Sequence, residues 1–425
     1  MKNNTNITNA SIESAGLPKD YKNAIAEYIW NGFDAKASRV DIRYESNALG
    51  YVHCISFTDD GEGIQHETLQ QSFGNFLDSM KRNSLKRSSY TRGRKGKGRF
   101  SFSVFSTRAT WKTRYRTADQ QLRAYEIIID RDQKERFEDS FIVDASPAAT
   151  GTTVLLEGIF GLTEQHLSAA DFLDFLAQEF GWFLFLNTQQ GFQITLNGEP
   201  ISYAQLIREE EMVNWVISDE TQNTYEFQIK FIGWWSNIGD RYYYYFLNSH
   251  KMEVAKELTS FNNNAIQFHH SVYIESSFFN HFEQESVANS QKHNLFSTVQ
   301  QHIVFKKLMG DLRIFLERKQ QKFVQHHVAE EMILNLAGKN VLPKYSASEQ
   351  DQARKTDILT ILKILCIAEP RVFAGMKADY LRAYLGFIDL LLQTDKKHQI
   401  IAVIQQTLPL GENEQKQLAQ ALSYS

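Results

Sequence analysis

The chain has 425 residues, 42% of them hydrophobic, which is enough for two or three domains with separate cores. A formal net charge of −4 gives no global basic field for nucleic acid, and the two scattered cysteines, Cys54 and Cys366, make neither a disulfide framework nor a zinc site, so a reducing cytoplasm is the expected setting. The polar start (Met1 to Ala15) lacks the apolar core of a signal peptide, and no apolar run approaches the roughly 20 residues of a membrane span, so membrane insertion is set aside.

Residues Tyr21 to Ala37 are predicted to form a helix, because Ala24, Ile25, Tyr28, Ile29 and Ala35 recur at helical spacing behind Pro18. Glu27 and Asn31 stand four residues apart on it, one turn from each other on one face. A carboxamide oxygen at Asn31 can ligate Mg²⁺, a hard cation that takes oxygen ligands. A carboxylate at Glu27 can orient and deprotonate a water that attacks a phosphate. Two strands follow, Val40–Tyr44 and Val52–Thr58, and the turn Asp59-Asp60-Gly61-Glu62-Gly63-Ile64 ends the second. Asp59 can accept from an exocyclic amine such as that of adenine, and Gly61 and Gly63 let a flat base approach the backbone.

Leu69 to Met80 again has a helical pattern. The basic stretch Lys81 to Arg99 then breaks into Gly93-Arg94-Lys95-Gly96-Lys97-Gly98-Arg99 ahead of the apolar run Phe100 to Val104. Glycines at such a start offer backbone N–H groups to phosphate oxygens, and Lys95 and Lys97 add point charges. The loop is not a Walker A loop, since Gly-Lys-Ser/Thr is absent. Strands are expected between Ala109 and Leu156, the last opening at Gly151-Thr152-Thr153, then a helix from Ala169 to Phe185 and a strand Phe192–Leu196 that turns at Asn197-Gly198. A second β-rich block is predicted from about Tyr225 to Tyr273, with Trp234-Trp235 and Tyr242 to Tyr245 as an aromatic hairpin that either packs into a core or stacks single-stranded bases. Helical patterning starts near Thr298. After Pro343 and a polar linker, Ser346 to Lys355, apolar stripes at Ile358, Ile361, Leu362, Leu365 and at Leu385, Ile388, Leu392 predict further helices.

Each of these signals is commonplace alone: a polar helix face, an acidic turn, a basic loop. In this order they resemble the GHKL superfamily, which includes the gyrase B subunit, heat-shock chaperones, histidine kinases, MutL and MORC proteins, and the likeness is nearest to MORC-like and heat-shock-chaperone-like members. The first motif of that superfamily matches Glu27, Asn31, Asp34 and Ala35; the second matches Asp59, Gly61 and Gly63; the third matches Gly93, Gly96 and Gly98; the fourth matches Gly151 and Thr152. Ser79 and Lys81 resemble the Ser-x-Lys of chaperone-like and MORC-like members. Ser290-Gln291-Lys292 resembles the loop by which a transducer domain sends a switch lysine, here Lys292, to the γ-phosphate.

The resemblance implies an α+β chain with ATP and Mg²⁺ as cofactors. A Bergerat-type ATP-binding domain is expected over residues 1–205, a transducer-like domain over 206–322 and an all-helical C-terminal domain over 323–425. It implies an ATP hydrolase in which ATP closes the basic lid and drives homodimerisation, and in which the helical domain passes that state to an effector or partner protein. By analogy, anti-phage defence is a candidate setting. The rival readings are an interaction switch with negligible turnover and a DNA-associated MORC- or MutL-like clamp. A histidine kinase is disfavoured, since kinases usually carry Asn where Glu27 stands. The basic residues Lys81, Arg82, Lys86, Arg87 and Arg92 would suit DNA phosphates or a nucleotide lid, and their place between the second and third motifs favours the lid. His269-His270 and His326-His327 have no further ligands at metal spacing, so no zinc site is expected.

Overall fold

The computed structural model describes residues 17–73, 98–145, 149–262, 266–280, 299–329, 333–334, 341–369, 373, 376–394, 399–407, 410 and 412–423. They form two compact units. One comprises the described residues up to Leu258 with those of 269–302, and the other those of 259–268 with everything from Ile303 onward.

The first unit opens with helix α1, Tyr21–Asp34. Asp20 caps it, its carboxylate accepting the N–H of Asn23 at 2.9 Å. Ala24, Ile25, Tyr28, Ile29 and Phe33 make its buried face. The helix stops where the Ala35 N–H turns back to the Asn31 and Gly32 carbonyls. Strands β1 (Arg39–Ser46), β2 (Val52–Asp59), β3 (Arg108–Arg116), β4 (Leu122–Asp130), β5 (Glu138–Asp139), β6 (Val143–Asp144), β7 (Gly151–Glu157), β8 (Gln193–Leu196) and β9 (Glu199–Pro200) form one sheet. Its order is β5-β4-β3-β7-β2-β1-β8-β9, with β6 also on β4. All pairings are antiparallel except β1 with β8. Asn197 and Gly198 both take positive φ (49° and 90°), the primed turn that a two-residue hairpin requires.

Helix α2, Ala170–Leu186, lies against α1: Phe180 packs 4.8 Å from Trp30, and Phe183 4.9 Å from Phe33, centroid to centroid. A second sheet follows, built from β10 (Ile207–Ser218), β11 (Thr224–Trp234), β12 (Tyr243–Leu247), β13 (Glu253–Leu258) and β14 (His270–Glu275), in the order β10-β11-β14-β12-β13. One face of it meets α2, where Tyr245 stacks on Trp182 at 5.6 Å and the Tyr273 hydroxyl donates to the Trp182 carbonyl at 3.2 Å. A single hydrophobic core runs from Ala24 and Ile25 through Trp182 to Tyr245 and Tyr273, so both sheets share it.

Two expectations are corrected here. The aromatic run is not a hairpin: β14 lies between β11 and β12, antiparallel to the first and parallel to the second. Trp234, Tyr242, Tyr244 and Tyr245 are buried, and burial of these large rings decides the arrangement, leaving Trp235 exposed. Nor is Ser346 to Lys355 a linker throughout. Ser348 accepts the Asp351 N–H and caps a helix that begins at Glu349, whose first turns are polar because they face solvent.

Among the described residues, the second unit has the helices α3 (Val299–Phe323, in this unit from Ile303 onward and continued by a π-type turn Val324–Val328), α4 (Glu349–Ala368), α5 (Ala378–Leu392), α6 (Gln399–Thr407) and α7 (Glu412–Ser423). The predicted stripes are its core: Ile358, Ile361, Leu362 and Leu365 of α4 pack with Leu385, Ile388 and Leu392 of α5, and with Ile404 and Leu418. The fold class is thus α+β, with a large mixed sheet backed by helices, a smaller sheet, and a helical C-terminal region.

Candidate functional site

Glu27 and Asn31 sit half-buried on α1, on the side away from its core face. Gly98, the first residue of a tight turn spanning Gly98–Val104, lies directly over them. A Cβ at Gly98 would stand 2.7 Å from Glu27 Oε2 and 3.2 Å from Asn31 Nδ2, so a larger residue there would displace the Glu27 carboxylate. The end of the third motif therefore meets both polar residues of the first.

Asp59 ends β2 and pairs with Val40 on one side and Thr152 on the other. Gly32 explains how α1 reaches it: a Cβ there would lie 2.9 Å from Val40 Cγ2 and 3.2 Å from Asp59 Cβ, so the helix is pressed onto this register. Oδ1 of Asp59 accepts the N–H of Gly61 at 2.9 Å and that of Thr152 at 3.3 Å. Both backbone donors thus use the same oxygen, and among the described residues Oδ2 accepts no hydrogen bond. Burial pushes the Asp59 carboxyl up to about 6, against the lowering effect of those two bonds and helped by the neighbouring Asp60 charge.

The second and fourth motifs are tied through the sheet. The Thr152 hydroxyl lies 3.1 Å from that of Thr113, and Thr113 Oγ1 accepts the Ile64 N–H at 2.8 Å. Gly63 takes φ +74° and sits against the Arg114 carbonyl, where a Cβ would be 2.1 Å from the oxygen. Ala35, after the half-buried Asp34, gives its carbonyl to the Glu62 N–H at 2.9 Å, and Lys36 pairs with Glu62, so the end of α1 is latched to the glycine turn. Arg99 is buried, its guanidinium over the rings of Phe73 (5.5 Å) and Phe100 (4.7 Å); burial lowers it to about 10.

Of the residues expected at this site, Glu27, Asn31, Asp34, Ala35, Asp59, Gly61, Gly63, Ile64, Gly98, Arg99 and Thr152 lie on this one end of the sheet and helix. Ser79, Lys81, Gly93, Lys95, Gly96, Lys97 and Lys292 lie outside the described residues. Sequence reasoning missed three residues. Asp60 accepts the N–H groups of Ser38 (2.8 Å) and Arg39 (2.9 Å) and the Ser38 hydroxyl, which fixes the start of β1 to the end of β2. Thr113 bridges Ile64 and Thr152. Tyr28 holds the Gly98–Val104 turn. Among the described residues no group of three or more His, Cys, Asp or Glu side chains could hold a metal ion. A groove of about 750 Å³ lies elsewhere, lined by Phe185, Tyr203, Met212, Lys230 and Lys251 among others, and takes no residue from the four motifs. No described helix is long and apolar enough to cross a membrane.

Residues 20–155 match the family model described as histidine kinase-, DNA gyrase B-, and HSP90-like ATPase. No curated protein matches the chain. Solved structures to which it is similar include the ATPase region of Saccharomyces cerevisiae topoisomerase II (15% identity, 60% of this chain and 72% of that one, TM-score 0.35). They also include the Aquifex aeolicus MutL ATPase domain complexed with ADP (14%, 61% and 92%, TM-score 0.32). A third is the ATPase and transducer domains of DNA topoisomerase II from Balamuthia mandrillaris (16%, 70% and 85%, TM-score 0.37). The family match is confined to the N-terminal segment, residues 20–155, which is similar to histidine kinase-, DNA gyrase B- and HSP90-like ATPases.

Proposed function

We propose that the chain is a Mg²⁺-dependent ATPase of the GHKL type. The observation that carries this reading is the meeting of Gly98 with Glu27 and Asn31, on the same sheet end as a buried Asp59 whose Oδ2 is left for a ligand. ATP and Mg²⁺ fit the residues present. Asp59 Oδ2 would accept the adenine amine, Asn31 would offer its amide oxygen to Mg²⁺, and the backbone at Gly98 would face phosphate. Mg²⁺, when bound, neutralises phosphate charge. Glu27 orients the attacking water and takes its proton.

Asp59 is given to recognition of the base through Oδ2, whereas Glu27 stands one turn from the metal ligand, beside Gly98. Glu27→Ala should therefore keep binding of a non-hydrolysable ATP analogue and lose turnover by about 10²–10⁴-fold, the usual cost of removing a general base. Steady-state phosphate release and a calorimetric titration measure the two separately. Turnover within twofold of the parent would remove Glu27 from this role.

The wider reading rests on sequence. Within it, the boundaries 1–205, 206–322 and 323–425 mark the nucleotide domain, a transducer-like domain and a helical partner domain. ATP drives closure of the basic segment and homodimerisation, and the helical domain transmits the state to an effector, in a cytoplasmic and MORC-like role for which anti-phage defence is one setting. Exposed Tyr380, Phe387 and Leu390 on α5, at 69%, 48% and 61% of full exposure, support a contact there. The protein's mass in solution with and without the ATP analogue tests dimerisation: an unchanged mass removes it.

A further inference from the structure

Tyr28 follows Glu27 directly, yet its ring points the other way, into the core, where it is 3% exposed and stacks on Phe57 at 5.0 Å. Its hydroxyl makes two hydrogen bonds. It donates to the carbonyl of Arg99 at 3.1 Å and accepts the N–H of Phe102 at 3.1 Å. Both partners belong to the turn Gly98–Val104, and the Phe102 carbonyl goes on to accept the N–H groups of Phe105 and Ser106. A ring of contacts closes: Glu27 to Tyr28 along the helix, Tyr28 to Arg99 by hydrogen bond, Arg99 to Gly98 along the chain, and Gly98 back against the Glu27 carboxylate.

The separation of Gly98 from Glu27 and Asn31 is therefore not set by their own contact alone. A hydroxyl anchored on α1 fixes the backbone one residue away. Replacing that hydroxyl by hydrogen would leave a carbonyl and an N–H in the interior without it, a loss expensive enough to let the turn shift.

We propose that Tyr28 is a positioning residue whose hydroxyl holds Gly98 over Glu27 and Asn31 and so sets how tightly the site grips the terminal phosphate of ATP. The proposal rests on the reading that these three residues face that phosphate. Asp59 recognises the other end of the nucleotide and is tied to Gly61 and Thr152, not to the Gly98 turn. Loss of the Tyr28 hydroxyl should thus weaken ATP selectively.

The test uses the full chain with Mg²⁺ and compares Tyr28→Phe with the parent in calorimetric titrations of a non-hydrolysable ATP analogue and of ADP. The expected result is a roughly tenfold loss of analogue affinity, as for one buried hydrogen bond, with ADP affinity kept, so that the ratio between them collapses. Phe57→Leu, which loosens the ring's packing but keeps the hydroxyl, should lower the melting temperature and keep the ratio. An unchanged ratio in Tyr28→Phe, including a parallel loss of both ligands, overturns the proposal. If Tyr28→Phe does not fold, hydrogen exchange on the parent decides: residues 98–105 should gain protection with the analogue and not with ADP, and equal protection overturns it. A parent that binds neither nucleotide removes the ATPase reading and this inference with it. Asp59→Asn losing both ligands while Tyr28→Phe keeps its ratio removes the inference alone.

Discussion

Asp59 Oδ1 accepts both backbone hydrogen bonds. In Asp59→Asn the amide oxygen can keep those two bonds while the amide nitrogen replaces Oδ2. A donor then faces the donor amine of adenine, and ATP affinity should fall by roughly 5- to 100-fold, the range for a mispaired buried polar group. Competition between ATP and GTP on the parent checks the same assignment, since equal affinities would contradict it. The raised carboxyl, pushed to about 6, also has a sign in stability. An acid whose folded-state value lies above its unfolded one holds its proton more firmly in the native protein. Its contribution is therefore fully present below the ordinary carboxylate range and is lost as pH rises to about 6. Asp59→Asn removes that dependence, so its melting temperature relative to the parent should be higher at pH 7 than at pH 4. A constant difference would count against a buried, perturbed Asp59. Glu27, Asn31, Asp59 and the glycines are legible in the sequence only as an ordered set that resembles the GHKL motifs, since each alone is a polar helix face, an acidic turn or a basic loop. Tyr28 and Thr113 are not, because their partners Phe102 and Ile64 lie 74 and 49 residues away. A tyrosine and a threonine with distant partners look like ordinary core and strand residues.

At the scale of elements, glycine decides where strands and helix meet. Gly63 takes φ +74° with the Arg114 carbonyl where a Cβ would go, so Gly63→Ala combines backbone strain with a clash against backbone. Strain of this kind costs on the order of 1–3 kcal/mol before the clash is counted. Chemical denaturation of the purified variant should show that loss, and a change under ~0.5 kcal/mol would mean the turn can rearrange. The helices α1, α4 and α5 are readable from periodicity, because each buries one apolar stripe, whereas α2 is apolar nearly all round from Phe180 to Leu184. Strand β10 is not: Glu209, Glu210 and Glu211 near its start give it the look of a polar loop, and only its pairing with β11 makes those side chains an edge. Pairing of β12 with β14 is likewise hidden, since a parallel neighbour arrives from far along the chain and nearest-neighbour reasoning favours a hairpin.

Seen whole, the first unit has two sheets and one core. Trp182 of α2 has its ring 6.2 Å from Trp30 of α1 on one side and 5.6 Å from Tyr245 of the second sheet on the other. A side chain shared in this way cannot leave one partner while keeping the other's packing intact. The described part of this unit should therefore lose its structure in one cooperative step, with calorimetric and van't Hoff enthalpies equal for the corresponding transition. Ending the chain at residue 205 would strip the second sheet from Trp182 and Phe185 and expose their rings, and that fragment is expected to be recovered aggregated; a soluble fragment with sharp tertiary signals would show that the first sheet and its helices are self-sufficient. The shared tryptophan also bears on heredity. A gene fragment encoding the first sheet without the second would carry an unfinished interior, so recombination could move the first sheet intact into another protein only together with the second.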